Sequence, residues 1–213
     1  MSGYLGDVAA LTRKDLALEL RARDTLPAML VFVLAALVVF HFALPAGAGD
    51  EAAYGLLWVA IVFTALVGLA RAWVPESRLG AIDALVLATT DRSAIWVAKT
   101  LAALAFLALA EIVALPAFAL LFAPLDAAAL AGAALASVGI CVVGSLASAL
   151  ASAGRGREVV LPLLVLPLAI PLVVGGVGAA VSPHPGAYLL FLALYDGVFA
   201  ILSWASFEYV VTE

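Results

Sequence analysis

Six long apolar runs dominate this sequence and leave few ways for it to fold in water. A helix needs roughly 20 apolar residues to cross the hydrocarbon core of a bilayer. The runs are Leu26 to Ala46, Ala53 to Val74, Ala94 to Phe122, Ala127 to Ala153, Val159 to Val181 and Ala187 to Val211. Because 67% of the residues are hydrophobic and only 12% are charged, lipid must solvate most of the surface. The sequence predicts an all-α integral membrane protein with six transmembrane helices.

All ten lysines and arginines can be placed on one side of the membrane. They are Arg13, Lys14, Arg21, Arg23, Arg71, Arg78, Arg92, Lys99, Arg155 and Arg157. The connections near 47–51, 124–126 and 182–186 contain none. Lys and Arg near helix ends stay on the cytoplasmic side of a membrane. We therefore expect a multi-pass protein of a bacterial-type inner (plasma) membrane, with both termini in the cytoplasm and no cleavable signal peptide in its polar first 25 residues.

The chain divides into residues 1–25, a cytoplasmic or interfacial N-terminal helix, and residues 26–213, the six-span domain. In the first segment, Val8, Leu11 and Leu18 share one face of a helical wheel. Charged residues lie between the other leucines, so the segment is amphipathic without a clean division of its faces. An interfacial helix is the prediction.

Residues 76–92 are predicted to form a short cytoplasmic helix between the second and third spans. Pro75 ends the second span, and Asp91-Arg92-Ser93 leads into the third. The helix carries a bulky face of Leu79, Ile82, Leu85 and Val86 and an opposite face of Ala81, Ala84 and Ala88. These faces suit docking against another protein. The alternative is an amphipathic linker that rests on the lipid surface.

Motifs for catalysis or metal binding are missing from the sequence. There is no Gly-x-x-x-x-Gly-Lys-Ser/Thr phosphate loop, so the chain cannot hydrolyse ATP by itself. His41 and His184 have no Cys or carboxylate at metal-ligand spacing, and no metal site is predicted. Both histidines are expected near the outer face as interfacial anchors, with transient haem ligation as the alternative. The single cysteine, Cys141, excludes an intramolecular disulfide.

Three polar residues inside apolar runs are further candidates for function, because a charge at bilayer depth is costly. Glu111 lies well inside the third run, where a functional or interface role and a structural hydrogen bond are equally open. Asp196 lies in the sixth run and is expected to be neutral or paired. Arg71 is interpreted as the one basic residue inside an apolar run. We expect its side chain to reach the interface rather than form a buried ion pair.

The segment 71–99 resembles the cytoplasmic region of the haem exporter protein B family (CcmB). The residues that match in order are Glu76, Gly80, Asp83, Asp91, Arg92, Ser93 and Lys99. Residues 11–23 resemble the family's opening segment. Residues 157–171, with Pro162, Pro167 and Pro171, resemble its proline-rich fifth span. Thr89-Thr90 stands where the family usually has a proline before the turn. The similarity covers nearly the whole chain.

The resemblance implies a non-catalytic membrane subunit of an ATP-binding cassette (ABC) transporter for cytochrome c maturation, with an ABC-2-type permease-like bundle. The implied partners are a CcmA-like ATPase, a CcmC-like haem-handling protein, a CcmD-like small protein and a second copy of the chain. Segment 76–92 would be the coupling helix that contacts the ATPase. The implied interface residues are Glu76, Arg78, Leu79, Gly80, Ile82, Asp83, Leu85, Val86, Asp91 and Arg92. Haem is implied as a handled or transported ligand, and no bound cofactor is predicted.

Three alternatives remain open at this point. The first is an ABC-2-type exporter permease for drugs, lipids or polysaccharide. The second is a proton-coupled secondary transporter that uses Glu111 and Asp196. The third is an assembly subunit that holds partners together without translocating a substrate.

Overall fold

A computed structural model describes residues 3–45, 47–73, 89, 91–153 and 157–210. These residues form seven helices and no strand. The helices are α1 (Tyr4–Ala22), α2 (Thr25–Ala43), α3 (Asp50–Arg71), α4 (Ser93–Leu121), α5 (Ala127–Ala153), α6 (Arg157–Val181) and α7 (Pro185–Val210). The six helices from α2 to α7 are long and apolar enough to cross a membrane. The prediction of an all-α membrane protein with six spans is confirmed, and the bounds of the spans differ by only a few residues.

The bundle has two chemically different ends. One end, here called the α1 end, contains α1, the first residues of α2, α4 and α6, and the last residues of α3. The lysines and arginines of the described chain lie there: Arg13, Lys14, Arg21, Arg23, Arg71, Arg92, Lys99 and Arg157. The opposite end, here called the far end, carries Asp50, Glu51 and Asp126 at helix starts or in short connections. The one-sided distribution of positive charge is therefore present in the fold.

Helices α3 and α5 form the inside of the bundle, whereas α2 and α7 lie outside. In the most apolar stretch of each helix, 61% of the residues are buried for α3 and for α5, but only 17% for α2 and for α7. Helix α5 packs against α6 and α7, and α3 packs against α2 and α6. The many Ala, Gly and Ser residues of α5 explain its central place, because small side chains let helix backbones approach closely in lipid.

Glycines mark the closest of these helix contacts. The indole ring of Trp58 on α3 lies directly over Gly176 of α6, where a Cβ atom would collide with the ring. A Cβ atom on Gly132 of α5 would lie 2.9 Å from the Cβ of Ala179 on α6.

Helix α6 continues through its three prolines. It also accepts a hydrogen bond of 2.7 Å from the hydroxyl of Tyr195 at the carbonyl of Leu168.

Replacing Gly176 by alanine should destabilise the bundle by about 1–3 kcal/mol, because the new methyl group overpacks the contact with Trp58. Thermal unfolding of the purified protein in detergent measures this change. Gly55→Ala on α3 is the matched control, since no atom lies within 4 Å of the added Cβ there. The control should be neutral or slightly stabilising. Equal Tm values for Gly176→Ala and the wild type would show that the Trp58 contact is not tight.

Candidate functional site

Helix α1 is held against the bundle by a face that carries two acids. Its buried residues are Asp7, Val8 and Asp15, and it packs mainly along α4. Leu11 is half-buried against the cluster of apolar side chains around Trp73. Leu18, expected on the same face as Val8 and Leu11, is 39% exposed. The acids on α1 therefore face the protein rather than water, and each needs a partner there.

The partner of Asp15 is Lys99, on the second turn of α4. The Lys99 Nζ lies 3.2 Å from the Asp15 carboxylate and donates a hydrogen bond of 2.6 Å to the carbonyl of Ala72. Lys99 is only 4% exposed. The second carboxylate oxygen of Asp15 lies 3.0 Å from the Lys14 Nζ. One buried ammonium group thus joins α1, α4 and the residue that follows α3.

Trp73 extends this junction to the rest of the bundle. Its indole N–H donates to the Ser148 hydroxyl on α5 at 3.1 Å, and its ring stacks on Phe207 of α7 with centroids 6.3 Å apart. The Lys99 Nζ lies 5.2 Å from the centroid of the same ring, within the range of a cation–π interaction. We call Asp15, Lys99, Ala72 and Trp73 the junction cluster.

This cluster corrects one interpretation of the sequence. Arg71 was taken as the basic residue inside an apolar run, but Lys99 is the basic residue that is buried among the described ones. The Arg71 side chain is 44% exposed and lies 3.9 Å from the exposed carboxylate of Asp24. The Arg71 side chain thus lies at the interface and does not form a buried ion pair. Sequence reasoning grouped Lys99 with the basic residues around the polar connection, although the third apolar run, Ala94 to Phe122, contains it.

The predicted coupling helix, residues 76–92, lies in the sequence between Trp73 of the junction cluster and the first residue of α4. Most of its residues lie outside the described part of the chain: Glu76, Arg78, Leu79, Gly80, Ile82, Asp83, Leu85 and Val86. Asp91 and Arg92 are described, and they immediately precede α4. The Asp91 carboxylate accepts a hydrogen bond of 2.8 Å from the backbone N–H of Ser93, the first residue of α4. Tyr4 on α1 is also hydrogen-bonded to the Ser93 hydroxyl, at 3.1 Å.

The two acids near the middle of the spans are not brought together. Glu111 on α4 accepts a hydrogen bond from the Ser137 hydroxyl on α5. Asp196 on α7 lies against Gly139 of α5. Because helical residues are rotated by about 100° each, positions 137 and 139 point to nearly opposite sides of α5. This separation does not favour a single ion or proton site made by both acids.

The histidines lie at the far end, as expected from the topology. The His41 ring contacts Phe42 and Phe122 edge-on, with centroids 5.5 Å away in each case. His184 follows α6 in an exposed turn, where its backbone N–H donates to the Ser182 hydroxyl at 3.1 Å. Among the described residues, no three His, Cys, Asp or Glu side chains are placed to hold a metal ion.

A small cavity of about 40 Å³ lies between α1, α2, α3 and α4. The junction residues Asp15 and Lys99 line it together with apolar side chains, among them Met29, Phe106 and Cys141. A cavity of this size accommodates a few water molecules at most. The cavity is far too small for a haem. It is a local packing gap next to the Asp15–Lys99 ion pair.

Replacing Lys99 by methionine should destabilise the protein by about 3–5 kcal/mol, because the Asp15 carboxylate then stays buried without its main partner. Lys14 offsets part of that loss. The Asp15→Asn/Lys99→Met double variant should recover much of the stability, which unfolding of the detergent-solubilised proteins measures. Arg71→Met is the control, since an exposed pair contributes at most about 1 kcal/mol. Similar losses for Lys99→Met and Arg71→Met would contradict a buried ion pair.

Comparison with known proteins places this fold in a family. The family model described as CcmB protein matches residues 7–208, which include most of α1, the junction cluster and the six spans. One curated relative is the Heme exporter protein B of Bradyrhizobium diazoefficiens. It is 28% identical over 179 residues, which cover 81% of this chain and 80% of the relative. Because the family match extends over nearly the whole chain, the protein belongs to the CcmB family.

Proposed function

We propose that this chain is the membrane subunit of an ABC transporter complex in cytochrome c biogenesis. It would couple ATP hydrolysis in a separate CcmA-like ATPase to haem export or to the release of a haem-loaded chaperone. Membership of the CcmB family supports this function, and so does the name of the relative, Heme exporter protein B. The structural observation that carries the proposal is the junction cluster, which ties Ala72 and Trp73, just before segment 74–92, to α1, α4 and α5.

Coupling requires that a push on one segment reach several spans. Segment 74–92 connects Trp73, just after α3, to Ser93, the first residue of α4. The Lys99 ammonium bonds to the carbonyl of Ala72 and pairs with Asp15 of α1. A displacement of the segment would therefore move the ends of α3 and α4 together with α1. Trp73 would pass the same movement to α5 and α7 through its contacts with Ser148 and Phe207.

The distribution of basic residues between the two ends of the bundle supports entry of energy at the α1 end. The α1 end carries the lysines and arginines of the described chain, and such an end faces the cytoplasm in membrane proteins. ATP and a CcmA-like ATPase would then be on the same side as segment 76–92. Conformational energy would enter at the α1 end, and haem or a chaperone would be handled at the far end. There the Asp50 and Glu51 side chains are exposed.

The remaining partners follow from the family. We propose a complex of two copies of this chain with two ATPase subunits, a CcmC-like haem-handling protein and a CcmD-like small protein. The chain itself would be non-catalytic, because its sequence lacks a phosphate loop. Haem would be cargo of the complex rather than a resident cofactor of this subunit.

Placing charges on the bulky face of segment 76–92 should detach the ATPase. The Ile82→Asp/Val86→Asp variant replaces two apolar contacts by carboxylates, which are costly to bury at an interface. We expect loss of the ATPase from the purified complex and loss of its stimulation, whereas the wild-type complex carries the ATPase and shows the optical spectrum of haem.

Ala127→Asp is the matched control for this experiment. Ala127 is exposed at the start of α5, at the far end of the bundle, where an acid in the first turn is compatible with the helix dipole. This variant should keep the ATPase. Intact co-purification and unchanged ATPase stimulation in Ile82→Asp/Val86→Asp would show that segment 76–92 is not the coupling helix.

A further inference from the structure

Asp196 is a carboxyl group at the centre of the membrane domain that has no polar partner among the described residues. It is 8% exposed, and neither of its oxygens has a hydrogen bond there. It lies midway along the apolar part of α7, which runs from Pro185 to Phe207. Gly139, against which it packs, is also midway along α5. The carboxyl group therefore lies near the middle of the bilayer.

The fold makes room for this side chain. A Cβ atom on Gly139 would collide with the Asp196 Oδ1 and would lie 2.6 Å from a methyl group of Leu172 on α6. Only glycine leaves the space between α5, α6 and α7 that the carboxyl group fills. The side-chain neighbours at this position are therefore the carboxyl group and the methyl groups of Leu172.

Among the described residues, no charged side chain compensates for a negative charge at this place. Helix α6 has no titratable residue between 159 and 181, and α5 has only Cys141, which lines the cavity between α1 and α4. On α7, the neighbouring Tyr195 uses its hydroxyl on an α6 carbonyl. On α4, Glu111 lies across α5, and Lys99 is paired at the α1 end. A carboxylate here would be buried without any compensating charge, which costs far more than burying the neutral acid.

We propose that Asp196 is a proton-binding site at the middle of the membrane domain. Its carboxyl group holds a proton while α7 packs against Gly139 and Leu172, and it releases the proton when α7 moves far enough to admit water. Proton binding is then thermodynamically linked to the packing of α7: each stabilises the other. The site goes beyond the ATPase-coupling function and is independent of it, because it depends only on the contacts of this chain.

Infrared spectroscopy of the purified protein in lipid tests this site directly. A protonated carboxyl group has a carbonyl stretching band that a carboxylate lacks. Because the chain has 15 Asp and Glu side chains, substitution assigns the band to a residue. We expect such a band at neutral pH that is lost in Asp196→Asn, shifted in Asp196→Glu and retained in Glu111→Gln. Its absence from both the wild type and Glu111→Gln would overturn the proposal.

The pH dependence of stability gives a second readout. The unfolded chain in detergent releases the Asp196 proton into water, whereas the folded protein retains it. Raising the pH therefore favours the unfolded wild type and lowers its Tm. Asp196→Asn is permanently neutral and of the same size, so its Tm should exceed that of the wild type by a margin that grows from pH 5 to pH 8. A margin that is constant with pH would contradict a retained proton.

Discussion

The ion pair between Asp15 and Lys99 is the interaction on which the α1 end of this protein depends. Both charges are buried, so separating them would leave each one in a poorly solvated place, at a cost of several kcal/mol. The pair is reinforced by the carbonyl of Ala72 and by Lys14. Because separating the two charges is so costly, the pair holds α1, α3 and α4 together as one unit.

In the rest of the bundle, polar side chains inside the membrane need hydrogen-bond partners within the protein. Without water to solvate polar groups inside the membrane, side chains such as those of Glu111 and Tyr195 find partners on the neighbouring helix. The hydroxyl of Ser137 and the carbonyl of Leu168 are those partners. The Asp196 carboxyl group, like the Trp96 indole N–H and the Ser145 hydroxyl, has no hydrogen bond among the described residues. Its lack of a partner fits a group whose charge state differs between two arrangements of α7.

The sequence predicted the spans well, because apolar runs such as Ala127 to Ala153 are long and bounded by Pro, Gly or charged residues. The one-sided placement of lysine and arginine was equally visible. The junction cluster was not, since Asp15 and Lys99 are far apart in sequence and nothing in either local pattern reveals the pairing. The same holds for Ser137 beside Glu111, a contact between two helices. The space at Gly139 depends on the packing of three helices, which no single segment encodes. The docking role of segment 76–92 stays a prediction.

We propose that the Asp15–Lys99 pair carries movement from segment 74–92 into the spans. The amount of haem transferred to its acceptor for each ATP hydrolysed, in the complex reconstituted in lipid, tests this claim most directly. We predict that a folded Lys99→Met complex still binds its ATPase and hydrolyses ATP, but transfers several-fold less haem per ATP. A folded Lys99→Met complex with the same ratio as the wild type would contradict the claim.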